Sequence, residues 1–165
     1  MQFSKRIAPC LWFDSQAEEA ASFYVSIFPN SQVTQIARYG KAGQEIHKRE
    51  PGSVLTVAFE LDGQPFTALN GGPIFKFNEA MSLQIFVTDQ KEFDYYWNKL
   101  TAGGDPHAQA CGWLKDRFGL SWQVVPRKMM EWFTRTDEKS QRAFAAMMKM
   151  GKLDIAALER AYNGG

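Results

Sequence analysis

A pattern that occurs twice constrains this chain more than any single motif. Residues 7–13 form a short apolar run ending at Asp14-Ser15, and residues 82–87 form another ending at Thr88-Asp89. Each gives way to apolar residues at helical spacing. They fall at Ala17, Ala20, Ala21, Tyr24, Ile27 and Phe28 in the first case, and at Phe93, Tyr96, Trp97 and Leu100 in the second. Both stripes predict a helix with one buried face. Ser15 with Glu18, and Asp89 with Glu92, supply capping patterns three residues apart. Pro29-Asn30 stops the first helix and Gly103-Gly104 the second. Pro9, inside the first run, predicts an edge position or a bulge, because proline cannot donate to a ladder.

Strands follow each helix. After the first come residues 32–39, a polar loop over 40–52 placed to cover a pocket, and strands at 53–61 and 64–70 joined by Asp62-Gly63, a dipeptide suited to a hairpin turn. Gly71-Gly72-Pro73 breaks the last of these, and residues 74–80 connect. After the second helix, residues 105–111 read as an abbreviated strand or loop, and strands at 112–117 and 121–125 turn at Phe118-Gly119. Strand, helix and three strands thus appear twice, the mark of an internal duplication. The expected class is α+β: two βαβββ modules, about 3–78 and 81–126, forming one domain over 1–126, with an open cupped mixed sheet. Residues 127–165 add C-terminal helices, started at Arg127, at Thr136 or Asp137, and at Asp154.

The charges exclude some classes of function. With 19 Lys and Arg against 18 Asp and Glu the net charge is +1. No block of like charge stands out, so neither nucleic acid nor an anionic membrane surface is expected as a partner. No apolar run approaches the ~18 residues of a membrane span, and the N-terminus lacks a secretory h-region. Cys10 and Cys111 form no CxxC. Two free thiols in a reducing cytosol are expected, and the protein is placed in the cytoplasm.

Three separated blocks carry a family resemblance. They are Ile7-Ala-Pro-Cys-Leu-Trp-Phe-Asp14 with Phe23-Tyr24 and Phe28-Pro-Asn-Ser31; Phe66-Thr-Ala-Leu-Asn-Gly-Gly-Pro73 with Phe75-Lys-Phe-Asn78; and Gly112-Trp-Leu-Lys-Asp-Arg-Phe-Gly-Leu-Ser-Trp-Gln-Val-Val-Pro126. Over residues 3–126 the chain resembles PhnB-like proteins of the vicinal oxygen chelate superfamily, which includes glyoxalase I, bleomycin-resistance proteins and extradiol dioxygenases. PhnB-like proteins often carry the label demethylubiquinone methyltransferase. The resemblance implies the glyoxalase/bleomycin resistance/dioxygenase fold, a homodimer, and a cup whose His and Glu side chains hold a divalent metal. The corresponding positions fall near Ile7, at Ser82 or Leu83, and on Gln123. None is His, Glu or Asp, and a neutral amide replaces a carboxylate poorly as a ligand. No metal and no cofactor is therefore expected.

Gln123 has two readings that stay open: a hydrogen bond to a ligand, since its amide both donates and accepts, or satisfaction by neighbouring strands or water. Trp113, Asn70 and Gln84 join Gln123 as cavity candidates in the cup, each with sheet packing as its alternative. The methionines at 129, 130, 147, 148 and 150 read either as an adaptable binding surface or, more plainly, as packing on the sheet or on a partner subunit. His47, with Glu45 nearby, and His107 read as loop and turn residues. Asp116 and Arg117, beside the last turn, read as a surface pair worth under about 1 kcal/mol.

Methyl transfer on a doubly wound sheet would need a glycine-rich turn after the first strand, but that turn is Phe13-Asp14-Ser15-Gln16. The expectation is a metal-free protein that binds an unknown small molecule. The alternative is a glyoxalase- or dioxygenase-type lyase or isomerase with an atypical metal site. No residue is assigned as catalytic.

Overall fold

A computed structural model describes residues 5–165. They divide into two compact units, with the boundary between Lys76 and Phe77. Each unit is a mixed sheet with a helix on one face, and the class is α+β.

The first unit runs β1 (Cys10–Phe13), α1 (Ala17–Ile27), β2 (Gln32–Arg38), α2 (Gln44–His47), β3 (Val54–Leu61) and β4 (Gln64–Asn70). The sheet order is β1-β4-β3-β2, with β1 parallel to β4 and the other pairs antiparallel. Alternation of side chains along each strand sets the faces. Leu11, Phe13, Val57, Phe59, Leu61, Phe66 and Ala68 are buried, and α1 lays Ala17, Ala20, Ala21, Tyr24 and Ile27 into the same core. Asp62 and Gly63, both with positive φ, make the tight β3–β4 turn. Proline's missing donor accounts for the start of β1: Pro9 lies just outside it and offers only its carbonyl, which accepts from Thr67 N at 3.0 Å. The strand therefore begins at Cys10 rather than at Ile7, which is exposed. The loop over 40–52 contains one helical turn, α2, with Gly43 and Lys48 in left-handed conformations at its ends.

The expected cap of α1 is corrected. The N-cap position is Gln16, which makes no side-chain cap. Asn70 Oδ1, from the end of β4, accepts from Ala17 N at 2.8 Å instead. The helix start is thus fixed by tertiary structure rather than by Ser15 and Glu18.

The second unit runs β5 (Ser82–Val87), α3 (Gln90–Thr101), a 3₁₀ turn at Pro106–Ala108, β6 (Trp113–Lys115), β7 (Ser121–Pro126), α4 (Arg127–Trp132), α5 (Glu138–Met147) and α6 (Ile155–Asn163). Its order is β5-β7-β6, with β5 parallel to β7. Ile85, Val87, Leu114, Trp122 and Val124 face a core shared with Phe93, Tyr96, Trp97 and Leu100 of α3. Here the local caps form as expected. Asp89 accepts from Glu92 N, Asp137 from Ser140 N and Asp154 from Ala157 N. No full strand forms over 105–111. Pro106 opens the 3₁₀ turn, and one bridge, Ala110 to Trp113, is all the pairing that follows.

The expected Asp116–Arg117 surface pair is also corrected, because Asp116 is buried. Its Oδ1 accepts from Phe118 N and Leu120 N at 2.8 and 3.1 Å, and its Oδ2 from Trp122 Nε1 at 2.8 Å. Three donors offset the cost of burying the carboxylate and hold the β6–β7 turn.

Candidate ligand-binding site

The open face of the second sheet follows from strand parity. In β5, Gln84 and Phe86 point away from α3; in β7, Gln123 and Val125 do so. The parallel register sets Gln84 beside Gln123, and the antiparallel one sets Trp113 opposite Gln123. The amides connect directly. Gln84 Nε2 donates to Gln123 Oε1 at 3.2 Å, and Gln123 Nε2 donates to Ser82 Oγ at 2.7 Å. Both readings of Gln123 therefore have support: neighbouring strands satisfy part of its amide, and the rest borders open space.

That space is a cleft of about 580 Å³. One wall is the sheet, with Gln84, Trp113, Gln123 and Val125. The other comes from the segment after Pro126: Met129, Met130, Phe133 and Thr134 on and after α4, and Met147 and Met148 at the end of α5. Ala110 and Cys111 close one side, and Cys111 Sγ lies 3.8 Å from Met148 Sδ. No lining side chain is charged.

Two backbone bonds clamp this side of the cleft: Cys111 N to Met150 O at 2.7 Å and Gly112 N to Gly151 O at 2.9 Å. Gly112 has φ +85°, and a Cβ there would sit 2.9 Å from Val124 O. Only glycine fits both the left-handed backbone and that close approach. Four of the five methionines named from the sequence line this space, Met129 and Met147 largely buried and Met130 and Met148 exposed, while Met150 is not among the lining residues.

Three of the four residues named from the sequence, Gln84, Trp113 and Gln123, come together here. Asn70 does not join them. It belongs to the first unit, where its Oδ1 takes the α1 bond and its Nδ2 donates to Val54 O at 3.0 Å. The His47 ring lies tilted against Tyr39, with centroids 4.6 Å apart, and accepts from Arg49 N through Nδ1. His107 lies in the 3₁₀ turn, where its backbone N donates to Asp105.

The donors at the positions of the superfamily metal do not fit a divalent ion. Ile7 lies outside β1, Ser82 Oγ already accepts from Gln123, Leu83 is apolar, and Gln123 is a neutral amide. Among the described residues no group of three or more His, Cys, Asp or Glu could hold an ion. In the first unit, register places Cys10 beside Thr67, and burial pushes the Cys10 thiol up from its ordinary value.

Two mixed sheets, each with a helix on one face, place the chain in the α+β class. The 3-demethylubiquinone-9 3-methyltransferase family model matches residues 5–125, and the chain belongs to that PhnB-like family. A PhnB protein from Bacillus cereus, which carries the same methyltransferase name, is 32% identical over 74% of this chain and 99% of its own, with a TM-score of 0.64. A Pseudomonas aeruginosa protein is 22% identical over 74% and 98%, with a TM-score of 0.56. The fosfomycin resistance protein FosX from Listeria monocytogenes is 14% identical over 81% and 100%, with a TM-score of 0.53. These last two are alike in fold. No functionally curated protein matches. The family match ends one residue before Pro126, so α4, α5 and α6 lie beyond it.

Proposed function

We propose that this protein binds a small molecule in the cleft on the second sheet and does so without the divalent metal of its superfamily. The observation that carries this is the convergence of Gln84, Gln123 and Trp113 with four methionines around one ligand-sized space. Clefts of ~300–1,000 Å³ with apolar walls and a few convergent polar groups are the usual form of small-molecule sites. Methyl transfer, which the family name suggests, finds no support at the glycine-free β1–α1 turn. The same reading includes a homodimer, supported by the edge strand β2, almost wholly exposed and carrying exposed Val33 and Ile36, and a reducing cytoplasm, supported by two free cysteines.

Equilibrium dialysis against Mn²⁺, Ni²⁺ and Zn²⁺, followed by emission spectrometry, tests the metal-free assignment. The expected result is far less than one ion per chain. One tightly held ion per chain, lost on Gln123→Ala, would overturn it.

A further inference from the structure

The lining of the cleft selects a chemical class of ligand, and this inference rests on the cleft being the binding site. We propose that the ligand is electrically neutral, largely apolar, and carries a group that both donates and accepts a hydrogen bond, such as a hydroxyl or an amide.

Charge decides the first part. The lining holds no Lys, Arg, His, Asp or Glu. A carboxylate or ammonium entering this mostly apolar space gives up part of its hydration and meets no opposite charge, which weakens its binding relative to a neutral body. Trp113 and Phe133 offer a cation only a weak ring contact in place of a counter-charge. A neutral body meets thioether and aromatic walls instead. Methionine sulfurs pack well against ring edges and adapt to irregular shapes.

The amide chain decides the second part. Gln84 Nε2 to Gln123 Oε1, and Gln123 Nε2 to Ser82 Oγ, use one N–H of each amide and the Gln123 oxygen. What remains is the Gln84 oxygen and the second lone pair of the Gln123 oxygen as acceptors, and one N–H on each amide as donors. A ligand hydroxyl matches that remainder, donating to one amide and accepting from the other. A ligand with acceptors only would offer nothing to the Gln84 oxygen and would lose one of the two bonds that a hydroxyl makes.

The test uses three probes of one shape on the full-length protein: 2-naphthol, 2-naphthoate and naphthalene. Binding is measured at neutral pH by titration calorimetry, and located by shifts of the methionine methyl and Gln side-chain NH₂ resonances. The expected order is naphthol first, then naphthalene, with naphthoate at least about tenfold weaker than naphthol. Gln123→Leu should weaken naphthol by about three- to tenfold and leave naphthalene nearly unchanged. Naphthoate binding as tightly as naphthol, with shifts in the cleft, would overturn the neutral class while leaving the cleft as the site. Gln123→Leu weakening naphthalene as much as naphthol would overturn the hydrogen-bonding part. Failure of all three probes to shift the Met129, Met130, Met147 or Met148 methyls would remove the cleft itself, and this inference with it.

Discussion

The two units start from the same plan and part at the end of the last strand. In each, the opening strand pairs in parallel with the closing one, and a helix covers the inward face. Register makes the comparison residue by residue. Phe13 pairs with Asn70 where Val87 pairs with Pro126, and Cys10 pairs with Thr67 where Gln84 pairs with Gln123. In the first unit the closing position holds Asn70, whose side chain turns back to fix the start of α1. In the second it holds Pro126, which has no such side chain and leads into α4. Accordingly α3 caps itself, with Asp89 accepting from Glu92 N and Glu92 reaching back to Thr88 N. The same difference puts a helical wall over Gln84 and Gln123. The duplication thus supplies a shared frame, and the cleft belongs to what is not shared. β2 likewise has no full counterpart, since the 3₁₀ turn and one bridge stand in its place.

This comparison can be broken or sharpened by substitution. The largest expected effect is at the β6–β7 turn, which belongs to the second unit alone. Asp116→Ala leaves three buried donors without their acceptor and should cost about 3 kcal/mol, read as a lower midpoint in urea unfolding followed by tryptophan fluorescence. A loss below about 1 kcal/mol would mean that the turn holds without its carboxylate.

Next come the two kinds of cap. Asn70→Ala strands both Ala17 N and Val54 O in the interior and should cost about 2 kcal/mol. Asp89→Ala removes one local cap and should cost about 1 kcal/mol. Equal losses would contradict the contrast between a cap set by tertiary structure and one set by neighbouring sequence.

The smallest effect is a dependence on acid. Lys152 and Gln90 hold the Asp94 carboxyl below its ordinary 3.8, the backbone and side chain of Ser140 do the same for Asp137, and Lys115 holds Glu79 below 4.5. All three lie in the second unit. A carboxylate with a depressed native value stabilises fully above its ordinary range, and that stabilisation is lost as pH falls through the native value. Hydrogen exchange measured from pH 7 down to pH 3, corrected for intrinsic rates, should show α3 and α5 loosening before β3 and β4. The reverse order would count against it.

Much of this was legible in the sequence. The helical stripes at Ala17 to Ile27 and Phe93 to Leu100 are the faces that α1 and α3 bury, because helical spacing leaves little choice once one side is apolar. The local caps at Asp89 and Asp154 were legible because a cap is a matter of three neighbouring residues; for α5 the sequence left Thr136 or Asp137 open, and the cap is Asp137. Asn70 was not, because its partners are Ala17 and Val54, and no local pattern announces a bond across that separation. Asp116 looked exposed because a charged residue beside a glycine turn usually is. The available clue was the adjacent Phe118, Leu120 and Trp122, whose burial draws the carboxylate in. Within the site, Gln84, Trp113 and Gln123 were named as cavity candidates, but the methionine wall depended on how the chain turns after Pro126, which helical spacing alone does not specify.

The origin of the two walls has a consequence for how such a protein can change over generations. The sheet wall is held by ladder hydrogen bonds and lies within the stretch matched by the family. The methionine wall lies beyond that stretch, and two of its members, Met130 and Met148, remain exposed. Substitutions at Met130 and Met148 reshape the cleft without opening a void in the core, unlike substitutions at the buried Met129 and Met147. On the reading proposed above, changes at these two positions would alter what the cleft accepts while the ladder that sets Gln84 beside Gln123 stays in place.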